Sequence, residues 1–396
     1  MRTSRRISKV PPYIFAEIEK KKEKLIEKGI SLIDLGIGDP DKPTPKRILS
    51  KFHRIVNDPK THNYPPYEGI KEFRRAVAAW YRKRFNVKLD PETEVLSLIG
   101  SKEGIAHVFF AFIDPGDIAL VPDPGYPVYK MATLLAGGTP YPVPLLKKNG
   151  FIPDLKAIDK KILKRAKLLF INYPNNPTAA VAGKEFLREA VAFCRKNGLL
   201  LCSDLAYSEV AFNGYRPMSV LEIPGAKDVS IEFHSLSKTY NMTGWRIGMA
   251  VGSAKAIAAL SIIKTNIDSG IFKAIQLAGV EALKGTQKET DIMNKMYEER
   301  RNILIDGLNS LGWDMEYPKA TFYVWAPVPE GYTSARFVAH LLERTGVLVV
   351  PGSGYGKYGE GYFRASITID KGSIREAIRR MRNEGIRFPC LPAGRK

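Results

Sequence analysis

The stretch Phe233–Arg246 reads FHSLSKTYNMTGWR and joins an apolar segment to a cluster of polar side chains. Ser235, Ser237, Lys238 and Arg246 place two hydroxyls, one amine and one guanidinium close together along the chain. A lysine at the mouth of a sheet can lose its solvent, which lowers its pKa and leaves a nucleophilic amine. Serine and arginine side chains hold phosphate groups through charge-assisted hydrogen bonds. A single lysine is ordinarily solvated, so the prediction of a site depends on the whole cluster.

Strand and helix patterns alternate on the N-terminal side of this stretch. Short apolar runs at 95–99, 118–121, 167–171, 199–202 and 231–233 are separated by helical patterns at 101–112, 126–136 and 183–197. Such short, continuously apolar strands with helices between them are typical of a parallel sheet covered on both faces. The pattern therefore predicts an α/β fold with a mostly parallel central sheet flanked by helices.

The C-terminal third has a different pattern. A long helical stretch is predicted from about 272 to 310, followed by sparser strands at 320–325, 347–350 and 362–367. We interpret this part as a smaller α+β domain. The predicted division is 1–45 for an N-terminal arm, with a helix over 11–28, and part of the small domain, 46–290 for the large domain, and 291–396 for the C-terminal small domain.

Composition excludes several classes of protein. The chain has 396 residues, of which 44% are hydrophobic and 26% charged, as in globular proteins. No apolar run approaches the roughly 18 residues of a membrane span, the N-terminus has no secretory signal pattern, and three cysteines form no framework. We therefore predict a cytoplasmic protein that does not bind membranes. The five histidines show neither metal-ligand spacing nor a catalytic-triad context, and no metal is predicted.

The formal net charge of +20 leaves nucleic-acid binding as an alternative. Positive and negative residues are interleaved along the chain, and no zinc-finger or RNA-binding signature occurs. A basic surface that attracts anionic metabolites explains the charge equally well. We therefore predict no nucleic-acid partner.

Polar residues follow several of the predicted strands. Asp204 ends the strand LLLCSD and Tyr207 follows it, and Asn176 lies in a turn after LLFIN. Open α/β sheets bind ligands at the carboxyl ends of their strands, so these side chains are candidates for one site. Taken alone, the asparagines are also explained by ordinary turn chemistry.

Three further features have both a functional and a structural interpretation. Gly100-Ser101-Lys102 opens a helix, whose N-terminus can bind phosphate, although an ordinary N-cap serine looks the same. Tyr126 lies in a Pro-flanked loop and can stack on a planar ligand or pack in the core. Arg364 lies within an apolar strand, where it needs an anion, either a substrate carboxylate or an internal salt bridge.

In order and spacing, these segments resemble the pyridoxal-phosphate-dependent aminotransferases of fold type I. The motifs that carry the resemblance span nearly the whole chain: GIGDP (36–40), NYPPYEG (63–69), GSKEGI (100–105), PDPGYPVY (122–129), NYPNNPT (172–178), SDLAYSE (203–209), SLSKTYNMTGWRIG (235–248) and GEGYFRASI (359–367). Within the family, the combination of LGIGDPD, LIGSKEGI and KTNIDSG looks like the subgroup that acts on LL-diaminopimelate.

The resemblance implies a role for each matched residue toward pyridoxal 5'-phosphate. Lys238 would bind the cofactor aldehyde covalently and later move the substrate's proton, and Asp204 would pair with the ring nitrogen. The ring's phenolic oxygen would be bound by Tyr207 and Asn176, its face by Tyr126, and its phosphate by Ser101, Lys102, Ser235, Ser237 and Arg246. Tyr64 would reach the phosphate of the neighbouring subunit, which implies a homodimer with shared active sites.

The resemblance also assigns the substrate-binding residues. Arg364 would bind the α-carboxylate, helped by Asn176 and the backbone of Gly38. For the distal end of the substrate, the candidates that the resemblance supplies are Tyr13, Lys102 and Asn266. Tyr126 is predicted to contact the substrate as well as the cofactor. Many relatives have glycine after Asn-Pro-Thr where this chain has Ala179, from which we expect a small backbone change.

The activity implied by the resemblance is transamination between an amino acid and a 2-oxo acid. The subgroup motifs predict LL-2,6-diaminopimelate as amino donor and 2-oxoglutarate as acceptor, with tetrahydrodipicolinate and glutamate as products, in lysine biosynthesis. Aspartate or alanine aminotransferase activity is the main alternative, because the core motifs are shared. A β-lyase on the same fold and a cofactor-sensing regulator are further alternatives.

Overall fold

The computed structural model describes residues 2–11, 22, 23, 27, 29 and 31–388. Most of the helix predicted over 11–28 lies outside these residues, as does Tyr13. The strands of the described part are β1 Ile33–Asp34, β2 Val95–Leu98, β3 Ile118–Asp123, β4 Thr139–Pro144, β5 Ala166–Asn172, β6 Leu200–Asp204, β7 Ser230–Ser235, β8 Gly248–Gly252, β9 Tyr323–Pro327, β10 Val347–Leu348, β11 Val350–Pro351 and β12 Tyr362–Ser366.

The α-helices of the described part lie between and after these strands along the chain. They are α1 Lys46–Ile55, α2 Lys71–Phe85, α3 Ser101–Phe112, α4 Val128–Ala136, α5 Lys160–Leu163, α6 Lys184–Asn197, α7 Leu236–Thr239, α8 Ala254–Ile267, α9 Lys273–Lys284, α10 Lys288–Ser310, α11 Ser334–Thr345 and α12 Lys371–Asn383. The predicted continuous helix over 272–310 is thus two helices. They are separated at Gly285, a residue of low helix propensity.

A seven-stranded sheet with the order β2-β8-β7-β6-β5-β3-β4 forms the centre of the molecule. The neighbours from β7 to β4 are parallel, whereas β8 runs antiparallel to both β2 and β7. The prediction of a mostly parallel central sheet is confirmed. Sequence analysis did not assign β4, whose sequence TPYPVP holds prolines that lack the N–H of an inner strand. Its position at the sheet edge accommodates them.

Side chains of the central strands alternate between two hydrophobic clusters. In β5, Leu168 and Phe170 pack with residues of α3 and α4, while Leu169 and Ile171 pack with residues of α2 and α6. This period of two, with apolar residues on both faces, explains the continuously apolar run in the sequence. The helices therefore cover both faces of the sheet and leave the ends of its strands to form a site.

A third hydrophobic cluster holds the C-terminal strands and helices together. It combines residues of β9, β12, α10, α11 and α12 with Ile33 and Leu35 near the N-terminus, and with Tyr207 and Phe212 from the segment after β6. The strands β11-β12-β9 form an antiparallel sheet, and β1 pairs with β10. This is the smaller α+β unit, and its core reaches the loop that follows β6. The exact boundaries at 45 and 290 stay a prediction.

Within the described ranges, no helix is both long and apolar enough to cross a lipid bilayer.

Candidate active site

A cavity of about 250 Å³ lies where β5, β6 and β7 end, beside the C-terminal unit. Parallel strands bring the residues at their carboxyl ends to one edge of the sheet. The cavity is lined by Gly38, Ser101, Lys102, Tyr126, Asn172, Asn176, Asp204, Ala206, Tyr207, Ser235, Ser237, Lys238, Thr243, Arg246, Tyr323 and Arg364. The structure thus brings residues from both ends of the chain together around one space.

Lys238 enters this cavity from the short helix α7. The helix begins directly after β7, and the Ser235 side chain accepts a hydrogen bond from the backbone N–H of Ser237 at 3.1 Å. This N-terminal cap fixes the turn that aims the lysine. Lys238 Nζ donates to the carbonyl oxygen of Gly38 at 3.1 Å and lies 5.7 Å from the centre of the Phe322 ring.

Burial lowers the pKa of the Lys238 ammonium from its ordinary value of 10.5 to about 8. The positive charges of Arg246 and Arg364 lower this pKa further, while Asp39 opposes them. An ammonium with this pKa loses its proton at mildly alkaline pH, whereas an exposed lysine does not. Lys238 can therefore act as a nucleophile or as a base.

Asp204 supplies a buried carboxylate at the end of β6. Its Oδ2 accepts from the Tyr129 hydroxyl at 2.7 Å, and its Oδ1 accepts from the backbone N–H of Ala206 at 3.3 Å. Burial raises the pKa of Asp204 to about 6, and these hydrogen bonds offset part of the effect. The group is therefore ionised above pH 6. A buried anion that faces a cavity is suited to bind a cation or a protonated nitrogen.

Arg364 and Asn176 form the part of the cavity that faces the C-terminal unit. Arg364 is 1% exposed, donates to Asn176 Oδ1 at 2.9 Å, and donates to the carbonyl oxygen of Gly36 at 2.6 Å. The backbone N–H of Asn176 donates to Asn172 Oδ1 at 2.8 Å. These contacts orient a planar guanidinium, which is the geometry that binds a carboxylate through two hydrogen bonds.

The turn that carries Asn176 also contains the departure noted in the sequence. Ala179 has φ of 58°, in the left-handed region that glycine adopts at lower energy. Its N–H donates to the carbonyl oxygen of Asn175 at 3.0 Å. The alanine therefore sits in a strained conformation while the turn keeps Asn176 in the cavity.

Tyr323 is a cavity residue that sequence analysis missed. Its hydroxyl lies 3.1 Å from that of Tyr207, and its ring centre lies 4.1 Å from the guanidinium carbon of Arg364. A Cβ atom on Gly38 would lie 2.1 Å from the Tyr323 hydroxyl, so only glycine fits there. Tyr323 therefore contacts Tyr207, Arg364 and the Gly38 backbone, and connects these three parts of the cavity wall.

A further group of cavity residues is suited to bind an anion. Ser101 begins α3, and Ser237 lies in α7. The Arg246 guanidinium packs on Gly100, where an added Cβ atom would lie 2.3 Å from a guanidinium nitrogen. Helix N-termini and arginine side chains bind phosphate groups. These residues can hold the phosphate of a cofactor.

Among the sequence-predicted residues, a few lie elsewhere. Tyr64 is 85% exposed and does not line the cavity of its own chain. Asn266 is exposed on α8, where its side chain donates to the carbonyl oxygen of Ile262 at 2.8 Å. Tyr13 lies outside the described residues. All the other predicted site residues line the cavity.

Sequence reasoning missed the cavity residues Asn172, Ala206, Thr243 and Tyr323, and also Tyr129, the partner of Asp204. Two of these carry a signal in hindsight. Asn172 is the last residue of a predicted strand, and Tyr129 lies one helical turn beyond Tyr126. The sequence offers no such signal for Tyr323.

Comparison with known proteins identifies the class of protein. The profile of the family described as aminotransferase class I and II matches residues 30–381. The chain belongs to this family, and its fold is the fold type I expected from the motifs. The protein is therefore an aminotransferase.

Similar proteins with particular names cover nearly the whole chain. The LL-diaminopimelate aminotransferase of Moorella thermoacetica is 56% identical, over 96% of this chain and 98% of its own length. LL-diaminopimelate aminotransferase 2 of Trichormus variabilis is 54% identical, over 98% of this chain and 100% of its own length. Substrate-bound BacF of Bacillus subtilis superposes with a TM-score of 0.95 at 37% identity, covering 99% of this chain and 100% of its own.

A mutant aspartate aminotransferase of Thermus thermophilus superposes with a TM-score of 0.91. It is 30% identical and covers 97% of this chain and 100% of its own. The same fold thus occurs in aminotransferases with different names.

Proposed function

We propose that this protein transfers an amino group of LL-2,6-diaminopimelate to 2-oxoglutarate, with pyridoxal 5'-phosphate as cofactor. The products are glutamate and a keto acid that cyclises to tetrahydrodipicolinate, and the reverse direction serves lysine biosynthesis in the cytoplasm. One observation carries the reaction type: a single cavity combines the Lys238 amine, the Asp204 carboxylate and the Arg364 guanidinium. The substrate is supported by the identity of 51–56% with proteins named LL-diaminopimelate aminotransferase.

The residues present fit the proposed cofactor. Asp204 is a buried anion for a protonated ring nitrogen, and Ser101, Ser235, Ser237 and Arg246 supply donors for a phosphate. Tyr207, Asn176, Lys102 and Tyr126 line the remaining cavity and complete the proposed contacts to the cofactor. Pyridoxal phosphate, when bound, supplies an aldehyde that captures amines and a ring that withdraws electrons from the substrate.

Lys238 has two tasks in this proposal. Its amine would hold the cofactor aldehyde in the cavity that Lys238 lines, and would become free when substrate binds. The freed amine then accepts the proton of the substrate's Cα, for which a pKa near 8 is well matched to neutral or mildly alkaline conditions. The hydrogen bond to the Gly38 carbonyl oxygen orients Nζ within the cavity.

Arg364 and Asn176 bind the α-carboxylate of either substrate. Their mutual hydrogen bond at 2.9 Å and the Tyr323 ring beneath the guanidinium fix the orientation before the substrate arrives. Such preorganisation is proposed to hold the α-carboxylate in one orientation relative to Lys238, which lines the same cavity.

The distal end of diaminopimelate needs additional space and charge. A second cavity, of about 750 Å³, shares Lys102 and Tyr126 with the first. The Lys102 ammonium lies 5.9 Å from the centre of the Tyr126 ring. The combined space accommodates an amino acid much longer than aspartate, and Lys102 supplies a cation for its second carboxylate.

A substrate panel tests the proposed donor. Half-reactions of the loaded enzyme with LL-diaminopimelate, aspartate and alanine, followed by absorbance, are expected to be fastest with LL-diaminopimelate. Because Lys102 lies where the distal carboxylate is proposed to bind, Lys102→Met is expected to slow diaminopimelate more than alanine. Faster conversion of aspartate would instead support the aspartate aminotransferase alternative. Release of ammonia without an oxo acid would support the β-lyase.

We further propose that two copies associate so that Tyr64 completes the partner's phosphate site. Tyr64 is 85% exposed and Tyr67 is 45% exposed, while Ile262 and Ile267 on α8 are 64% and 60% exposed. A contiguous patch of such side chains marks an interaction surface. The loop after α8 packs through Gly270 on Pro65, next to Tyr64, which connects the two groups. A tyrosine that extends from such a surface is placed to enter a neighbouring molecule.

Mixing two variants tests this arrangement. Tyr64→Phe is expected to lower cofactor affinity, because the phosphate of the partner's site loses a hydroxyl donor. When Tyr64→Phe is mixed with the inactive Lys238→Met, hybrid dimers hold one site with both residues intact, so activity is expected to rise above that of Tyr64→Phe alone. Light scattering checks that dimers form and that subunits exchange. Exchange without any gain in activity would contradict the shared site.

A further inference from the structure

Lys264 is fully buried and has no part in the mechanism derived above. It belongs to the motif KTNIDSG at 264–270 and lies on the α8 helix. Its ammonium lies 2.8 and 3.0 Å from the carboxylate oxygens of Asp268 and 3.7 Å from Oε1 of Glu103. The same Glu103 oxygen lies 2.7 Å from Nδ1 of His107. We call these four residues the Lys264 cluster.

The cluster is not an open metal site. The ligand atoms of Glu103, His107 and Asp268 lie within 4.8 Å of one another, which is a spacing that a metal ion could use. The Lys264 ammonium already supplies the positive charge among them. The burial of a charged lysine between two carboxylates costs free energy unless the ion pairs are well formed, so the cluster is weak evidence for stability alone.

On one side, the cluster holds the turn that begins the proposed phosphate site. Glu103 Oε2 accepts a hydrogen bond from the backbone N–H of Ile99 at 3.0 Å. This is the reach of an acidic residue in the first turn of a helix back to the residues before it. Ser101 lies between the two partners in the chain, so this hydrogen bond closes the turn that carries Ser101.

On the other side, the cluster is anchored to a neighbouring loop. Asp268 Oδ1 accepts from the backbone N–H of Gly270 at 2.8 Å. A Cβ atom on Gly270 would lie 3.2 Å from Pro65 and 3.4 Å from the carbonyl oxygen of Pro66, so this loop packs on the segment that follows Tyr64. The cluster thus connects the two pieces of chain that the proposed function places at phosphate groups.

We propose that Lys264 is a positioning residue that holds the phosphate-binding turn at Ile99–Lys102 through Glu103. The proposal rests on the proposed function, because it needs a phosphate-bearing cofactor at this turn. Without Lys264, the carboxylates of Glu103 and Asp268 repel each other, and the turn that Glu103 holds shifts. Their uncompensated charge also repels a phosphate bound nearby.

Comparing two forms of the cofactor isolates this effect. Lys264→Met keeps the length of the side chain, and its affinity for pyridoxal phosphate is expected to fall about 10–100-fold, the size typical of losing a group that orients a binding residue. Its affinity for pyridoxal, which lacks the phosphate, is expected to change little. Lys255→Met, an exposed lysine on the same helix, is the matched control and should match the original protein with both ligands.

A second variant separates charge from packing. Glu103→Gln in the Lys264→Met background removes one carboxylate but keeps the oxygen that accepts from Ile99, so it is expected to recover part of the lost affinity. If Lys264→Met does not fold, the affinities of Asp268→Asn for pyridoxal phosphate and for pyridoxal are compared instead. Equal losses for pyridoxal phosphate and pyridoxal, or no loss for either, would overturn the proposal. Failure of the unsubstituted protein to bind pyridoxal phosphate at Lys238 would instead refute the proposed function.

Discussion

Replacing Lys238 with methionine is expected to slow transamination by about 10⁴-fold, the upper range for a group that transfers protons. The neutral amine is the group proposed to take the proton from the substrate's Cα, and methionine cannot accept a proton. Borohydride treatment of the loaded protein is expected to fix the cofactor on Lys238, which peptide mapping detects, and to label nothing in Lys238→Met. Lys255→Met is the matched control. A label on another lysine would refute the assignment.

The same variant is expected to make the cofactor-free protein more stable at pH 7. Lys238 has a pKa of about 8 in the folded state and 10.5 when exposed, so burial of its charge destabilises the fold by about 3 kcal/mol below pH 8. This penalty decreases as pH rises from 8 to 10.5, because the folded protein then holds a neutral amine and removing the proton costs less at each higher pH; it vanishes once the unfolded chain is deprotonated too. Denaturation midpoints at pH 7 and pH 10 measure the difference, and Lys238→Met should gain stability mainly at pH 7. An equal loss of stability at both values would contradict the cause given for the shift.

This combination of lost activity and gained stability is the signature of a site that stores unfavourable electrostatics for function. Asp204 belongs to the same pattern, since burial raises its pKa to about 6 and yet leaves it ionised at neutral pH. The two groups titrate in the range where enzymes work. Shifted pKa values of this kind are enriched at functional sites.

Much of this site could be predicted because its residues follow strands in the sequence. β5 and β6 pair in parallel with Asn172 opposite Asp204, so residues after these strands must meet at one edge. The helix α3 was predicted with its observed bounds, because Gly100 interrupts the apolar pattern on one side and the helical period is clear on the other. Local rules were enough for these elements.

Tyr323 and β8 could not be predicted by the same rules. Tyr323 reaches the cavity because β9 pairs antiparallel with β12, with Trp325 opposite Arg364, and such a register is not visible in one sequence. β8 has the sequence GMAVG, whose glycines are weak strand formers, and it is stabilised by pairing on both sides. In both cases tertiary contacts, rather than local propensity, decide the structure.

Replacing Arg364 is expected to lower kcat/KM by about 10³-fold in both half-reactions. Losing one partner of a buried charge pair costs about 2–5 kcal/mol. Each loss of about 1.4 kcal/mol lowers the rate or affinity tenfold. Both the amino acid and the oxo acid carry the α-carboxylate that this guanidinium is proposed to bind, so the two losses should be equal. Arg364→Lys keeps the charge but not the planar pair of donors held by Asn176 and Gly36, and it should therefore also be impaired.

Cofactor affinity separates this role from a general loss of structure. Arg364 contacts Asn176, Gly36 and Tyr323, none of which is a proposed phosphate residue. Arg364→Lys is therefore expected to bind pyridoxal phosphate as tightly as the original protein. Arg344→Lys, at an exposed arginine paired with Glu384, is the matched control and should leave both half-reactions unchanged. A loss confined to the amino acid, with the oxo acid unaffected, would mean that Arg364 recognises something other than the carboxylate that the two substrates share.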